Sequence, residues 1–186
     1  VMMDFIPQPL QKHINHQLQI CADAFSQAHL LAEWRILWQA LGPELTQLAI
    51  SSDYALKTIC QFPQIFWHMF ENNELTQAQP RPYYREQLTR VLADKTTDFL
   101  WTQAIRQYRQ QAMLRWVYRD VNGLCSLEEL TDELSAFAEA SIDAAIACAE
   151  VPLIARHGQP IGEESQQPQQ MVVIGMGKFG AQGLNL

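Results

Sequence analysis

Apolar residues recur every three or four positions from Leu10 to about Leu41: Leu10, Ile14, Leu18, Cys21, Ala22 and Phe25, then Leu30, Leu31, Trp34, Leu37 and Trp38. That spacing lays one apolar stripe along a helix. Gly42-Pro43 closes the run. Pro43 suits the first turn of a short helix to about Ile50, because its missing N–H would have no intrahelical partner there. Ser51, Ser52 and Asp53 offer oxygens that cap a helix over residues 54–61. Pro63 opens another over 64–71, with Phe62, Phe66, Trp67 and Phe70 as an apolar face read as core packing. Residues 72–82 are polar, contain Pro80 and Pro82, and predict a loop.

A helix over residues 83–94 follows, then a long one over 97–121 with Phe99, Leu100, Ala104, Ile105, Tyr108, Ala112, Trp116 and Val117 near one stripe. Gly123 marks its stop. Ser126-Leu-Glu-Glu129 has the form of a capping box, in which the serine oxygen accepts from the backbone three residues on and Glu129 reaches back. It opens a helix to about Ala149, with Leu130, Leu134, Phe137, Ile142 and Ile146 spaced for burial; Pro152 kinks or ends it, and a continuation toward His157 is open. Residues 158–170 are polar, with Pro160, Gly162 and Pro168, and read as a linker. Met171-Val-Val-Ile174 then runs into Gly175-Met-Gly-Lys-Phe-Gly180, the pattern of a buried strand ending in a tight glycine turn. The organisation expected is a helical bundle over 1–157, the linker, and over 171–186 the start of a further domain.

The chain of 186 residues is 48% hydrophobic and 18% charged, as for an ordinary globule. A formal charge of −7 argues against general nucleic-acid binding, which rewards clustered cations. The arginines that do cluster are Arg106, Arg109, Arg115 and Arg119, expected to form a solvated face with pairs such as Arg115 and Asp120. Cys21, Cys60, Cys125 and Cys148 lie far apart, which suits reduced thiols rather than a disulfide framework or a zinc site. No stretch approaches eighteen apolar residues, so no membrane span is expected and a cytoplasmic protein is the simplest reading. His13 and His16 lie three apart on a helix but lack a third ligand at matching spacing, and His29, His68 and His157 are isolated, so no metal site is predicted. Glu128, Glu129, Asp132 and Glu133 line a helix start, where the helix dipole favours them.

The chemistry-bearing stretch is the glycine turn. Glycine takes positive φ and, having no Cβ, lets a ligand approach backbone N–H groups; with Lys178 alongside, the turn suits an anion, phosphate above all. Gly175-x-Gly177-x-x-Gly180 also matches the dinucleotide fingerprint in form, which requires a following helix and an acidic residue some twenty positions on. Gly183 argues against a helix starting there.

The whole string Gly175-Met-Gly-Lys-Phe-Gly-Ala-Gln-Gly-Leu-Asn185 resembles the signature of the glutamine synthetase adenylyltransferases, roughly GMGKLGGxELN followed by S-S-D-I-D-L. Lys178 matches the signature lysine, Gly180 the first glycine of its pair and Leu184-Asn185 the L-N, while Ala181 stands for the second glycine and Gly183 for the glutamate. Arg106-Gln-Tyr-Arg109 through Arg115, then Leu127–Ser135, is similar to the family's arginine-bearing helical run and its L-S-x-L-A-E helix, and Ser52-Asp-Tyr54 with Phe62-Pro-Gln64 to a shorter motif. The G-M-G-K wording fits the deadenylylating half of these two-part enzymes. The resemblance implies a mainly α chain: a helical bundle followed by the first strand and glycine turn of an incomplete nucleotidyltransferase (α+β) domain. It implies nucleotide-phosphate binding at Gly177, Lys178, Gly180 and Ala181. It further implies a parent that removes and adds AMP on a glutamine synthetase tyrosine using ATP or ADP, phosphate and Mg²⁺, with glutamine synthetase and a PII-type signalling protein as partners. The metal-binding aspartates are expected beyond Leu186, so this chain alone is expected to be inactive. The rival readings are a helical docking module and a dinucleotide-binding oxidoreductase fragment.

Overall fold

A computed structural model describes residues 7–184, the side chain of Asp98 excepted; Asn185, matched to the signature, lies outside them. Eight helices are described: α1 (Gln8–Gln27), α2 (Leu31–Ser51), α3 (Asp53–Gln61), α4 (Pro63–Glu71), α5 (Arg81–Leu92), α6 (Asp98–Val121), α7 (Leu127–His157) and the single turn α8 (Gly177–Gly180). They divide into two compact units, residues 7–78 with 109–126 and residues 79–108 with 127–184.

The first unit is built on the stripe seen in the sequence. Ile14, Leu18, Cys21 and Phe25 of α1 are buried with Trp34, Leu37, Leu45 and Leu48 of α2, Leu56 and Ile59 of α3, Phe66 of α4, and Leu114 and Tyr118 of α6. Four of the apolar groups on α1 come at intervals of three or four, so a single helix face is covered by both α2 and α3. The run predicted as continuous from Leu10 is broken after α1, because His29 adopts φ +60°. The His29 N–H then returns to the Ser26 carbonyl and the Leu30 N–H to Phe25, a Schellman stop. As expected, the first run stops just before Gly42-Pro43: Leu41 leaves helical geometry (φ −126°, ψ 18°), so α2 is two helical segments joined at a kink, and Pro43 occupies the first turn of the second. Ser52 caps α3 as expected, its hydroxyl accepting from the Ala55 N–H at 3.2 Å.

In the second unit α5 packs on α7. α5 starts at Arg81, inside the stretch predicted as loop, with Pro82 in its first turn where proline is tolerated. Tyr84 and Leu88 are buried with Leu130, Leu134 and Phe137. The rings of Tyr84 and Tyr108 flank that of Phe137 at 5.8 and 5.9 Å. α7 begins after Ser126 and continues through Pro152 to His157, forgoing the hydrogen bond a residue with an N–H would give the Cys148 carbonyl. Residues 160–169 fold back through a bridge between Ile161 and Pro168, with Gln169 N–H donating to the Pro160 carbonyl at 2.9 Å.

The predicted strand at Met171–Ile174 is not formed: among the described residues no sheet exists for it to join. A strand is defined by its ladder, and its backbone here has none. Val172 and Ile174 are 78% and 80% exposed, so the apolar run is not buried either.

Candidate functional site

The turn after this segment is a single helical turn with a tightly specified stop. Gly177 sits at φ +59°, in the left-handed region where a Cβ is penalised. Gly180 N–H donates to the Met176 carbonyl at 3.3 Å and Ala181 N–H to Gly177 at 3.0 Å. Gln182 then swings to φ +53°, its N–H returning to Phe179 at 3.0 Å while Gly183 N–H returns to Lys178 at 2.7 Å. These last two bonds are the pair that defines a Schellman stop. Gly183 is therefore not a helix interior residue but the residue that closes the turn, and the helix that it was expected to forbid is limited to four residues.

Two backbones meet inside this turn. A Cβ on Gly180 would lie 2.5 Å from the Gly175 carbonyl oxygen and 3.0 Å from its carbon, both main-chain atoms. A Cβ on Gly175 would meet the Phe179 ring at 2.9 Å. Glycine at 180 is thus demanded by the chain's own approach to itself. Gly177, Lys178, Gly180 and Ala181 fall together on α8 and its C-cap, with the Lys178 side chain exposed. The arrangement places the exposed Lys178 side chain next to Gly177, whose Cβ side is open, while the N–H groups of Gly180 and Ala181 are taken up by the turn itself.

The arginines separate into two pairs. Arg106 and Arg109 are exposed, whereas Arg115 and Arg119 are 3% and 1% exposed, so the expected solvated face is corrected. In the first unit Arg115 donates to the Gln77 carbonyl at 3.3 Å and Arg119 to Leu124 at 3.4 Å. Carbonyl oxygens supplied by turns help offset the cost of burying these guanidinium groups. Tyr118 lies on the same stretch of α6, and burial, with the Glu44 carboxylate adding, pushes its phenol well above the ordinary range. A groove of about 320 Å³ in this unit is lined by Ser52, Tyr54, Arg109, Gln110, Met113 and Val117. It joins two of the stretches singled out in the sequence.

Glu128 and Glu129 fall in the first turn of α7 as expected, whereas Asp132 and Glu133 have partners on other elements. Glu133 is 2% exposed, takes the Tyr84 hydroxyl on one oxygen and accepts from the Gln79 N–H at 3.1 Å on the other. Arg81 bridges Asp132 and Glu139, the latter at 2.6 Å. These partners lie 49–58 positions away, and no local signal announces them. Among the described residues no group of three His, Cys, Asp or Glu side chains is placed to hold a metal ion. No described helix is long and apolar enough to cross a membrane.

Comparison with known proteins places this geometry in context. A family described as glutamate-ammonia ligase adenylyltransferase matches residues 43–186, which include the last part of α2, the helices after it and the glycine turn. The chain is 46% identical over 95 residues to a bifunctional glutamine synthetase adenylyltransferase/adenylyl-removing enzyme of Acinetobacter baylyi, covering 51% of this chain and 10% of the relative. A protein of the same description from Nitrosococcus oceani is 35% identical over 136 residues, 73% of this chain and 14% of the relative. Another, from Pseudomonas syringae pv. tomato, is 28% identical over all 186 residues, 18% of the relative. The chain thus spans between 10% and 18% of the length of these three relatives. No solved structure matches it significantly. The chain belongs to the glutamate-ammonia ligase adenylyltransferase family.

Proposed function

We propose that this chain contributes the helical body and the phosphate-facing turn of an enzyme that removes, and in its other half adds, AMP on a tyrosine of glutamine synthetase, and so regulates nitrogen assimilation. In the removal reaction phosphate attacks the adenylyl-tyrosine, giving ADP and the free tyrosine. Chemistry of this class rests on positioning and on positive charge held against the transferring phosphoryl group. Lys178 supplies such a charge, and Gly177, where a Cβ would meet nothing within 4 Å, leaves room for nucleotide oxygens beside Gly180 and Ala181. The observation that supports this reading is that the glycine turn with Lys178 lies inside the stretch matched by the family.

The resemblance assigns Mg²⁺ to the complete enzyme. The described residues offer no ligand set for it, so in this proposal the ion is held elsewhere in the parent and this chain alone is inert. The test is to offer the 186-residue chain adenylylated glutamine synthetase, phosphate and Mg²⁺. No ADP above background is expected, and sustained ADP release would overturn the assignment of the missing groups to the rest of the enzyme.

A second reading accompanies it: the helical body docks glutamine synthetase or a PII-type protein in the cytoplasm. In the second unit Arg106 is exposed, Phe99 is 74% exposed and Leu153 55%, which supports contact with a protein. Titration of each protein separately against the chain by calorimetry checks this, and no heat from either would remove it. The oxidoreductase reading is set aside, because the chain belongs to a different family and the turn is followed by a Schellman stop in place of a long helix.

A further inference from the structure

Two cysteines that looked unrelated in the sequence, Cys21 and Cys60, are neighbours in the first unit. Their sulfurs lie 3.2 Å apart, one on α1 and one near the end of α3, and both are free thiols. Cys21 is fully buried and also approaches the Leu56 carbonyl at 3.9 Å, one helical turn before Cys60. Cys60 is only partly buried, so it is the member that solvent reaches. We propose that Cys21 and Cys60 are an oxidisable dithiol, a modification site at which a hydroperoxide converts the two thiols to a disulfide that staples α1 to α3.

Bond formation requires the sulfurs to close by about 1.2 Å, from their present separation to a normal S–S length. The hydrogen bond between them divides the roles. Acceptance of the Cys21 proton pulls the Cys60 thiol below its ordinary value, while the same bond and burial push Cys21 well above it. Because a peroxide can reach the partly exposed Cys60 and not the fully buried Cys21, Cys60 is the attacking sulfur and Cys21 the resolving thiol. The Cys60 sulfur attacks one peroxide oxygen, the O–O bond breaks, and an alcohol (water, from hydrogen peroxide) leaves with a proton. Cys60 is left as a sulfenic acid. The Cys21 sulfur then attacks it, the S–S bond forms, the S–O bond breaks, and water departs with the Cys21 proton. The two sulfurs lose two electrons and the peroxide gains two.

The test treats the full chain with stoichiometric hydrogen peroxide at neutral pH, alkylates remaining thiols, and maps peptides without reduction. The expected product is a dithiothreitol-sensitive link between the Cys21 and Cys60 peptides, with Cys125 and Cys148 still alkylated. Closing this loop should also raise the melting midpoint by roughly 5–15 °C, reversed by reductant. In Cys21→Ala, Cys60 should stop at a sulfenic acid trapped by dimedone. The proposal is overturned if the wild-type chain retains an alkylatable Cys21 while Cys60 oxidises alone, if Cys125 or Cys148 reacts first, or if no thiol is consumed.

Discussion

Three substitutions in the glycine turn separate the requirement for space from the requirement for backbone conformation. Gly180→Ala puts a Cβ 2.5 Å from the Gly175 oxygen, an approach that main-chain atoms cannot relieve by rotating a side chain. Overpacking of this kind costs about 1–3 kcal/mol where the structure holds, and this short turn is expected to open instead. If that cost falls on the binding-competent conformation, activity drops roughly 5- to 150-fold, at about 1.4 kcal/mol for each factor of ten. Gly177→Ala meets no atom within 4 Å but places an L residue at φ +59°, which costs roughly 1–2 kcal/mol, or about 5- to 30-fold. Ala181→Gly changes a residue at φ −87°, where either residue is at ease, and should stay within about threefold. The assay is phosphate-dependent ADP release from adenylylated glutamine synthetase, measured as kcat/KM in a complete enzyme carrying this chain. Hydrogen exchange at the Gly183 amide, bonded to Lys178, reports whether the turn has opened. Wild-type activity in Gly180→Ala together with loss in Ala181→Gly would refute the reasoning, since it would mean that the close backbone approach plays no part.

Tyr84→Phe removes a donor from the buried Glu133 carboxylate and should cost about 1.5–3 kcal/mol in urea unfolding, whereas Arg85→Ala breaks an exposed pair with Asp143 on the same two helices and should cost under about 1 kcal/mol. Equal costs would contradict the reasoning that the buried Glu133 contact outweighs the exposed ion pair. The raised Tyr118 phenol means that the folded chain keeps a proton which the unfolded chain surrenders near pH 10, so this contribution is intact below that value and lost as the pH rises above it. Tyr118→Phe should flatten the alkaline fall in stability, and an unchanged pH profile would show that this group is not its source.

The helix ends explain how far the fold could be read from sequence. α1, α4 and α6 all stop with a residue in the left-handed region whose N–H returns three residues back while the next N–H returns five. At α6 that residue is Gly123, and the stop was legible. At α4 it is Asn73, which tolerates the conformation, and the end fell close to expectation. At α1 it is His29, which carries no such signal, so the apolar spacing on either side read as one run. What makes the break affordable is tertiary: Phe25 and Leu30, the residues joined by the longer return bond, sit in or against the same core. Pro43 follows the break at Leu41 and sits in a first turn, where its missing N–H was legible as harmless, whereas Pro152 shows the converse, because it does not end the helix that contains it. Local signals predict the cost of a conformation, and packing decides whether it is borne.

The site was legible to a different degree at each of its parts. The glycine turn declared itself because positive φ and backbone contact demand glycine in any setting, and Gly177 and Gly180 show one of each. The arginine run did not, since the same residue type serves opposite ends: Arg106 and Arg109 face solvent, while Arg115 and Arg119 are sealed in by carbonyls of Gln77 and Leu124, the first 38 positions away. Periodicity can assign polar side chains to a face but cannot say that a loop will fold over it. The Met171–Ile174 run misled for a related reason, because a strand depends on groups supplied from elsewhere in a way that a helix does not. Covering side chains as exposed as Val172 and Ile174 is worth roughly 1.5–3 kcal/mol each. That is as large as the cost assigned to a methyl group on Gly180, so pairing of this segment and order of the turn that follows it are energies of the same size.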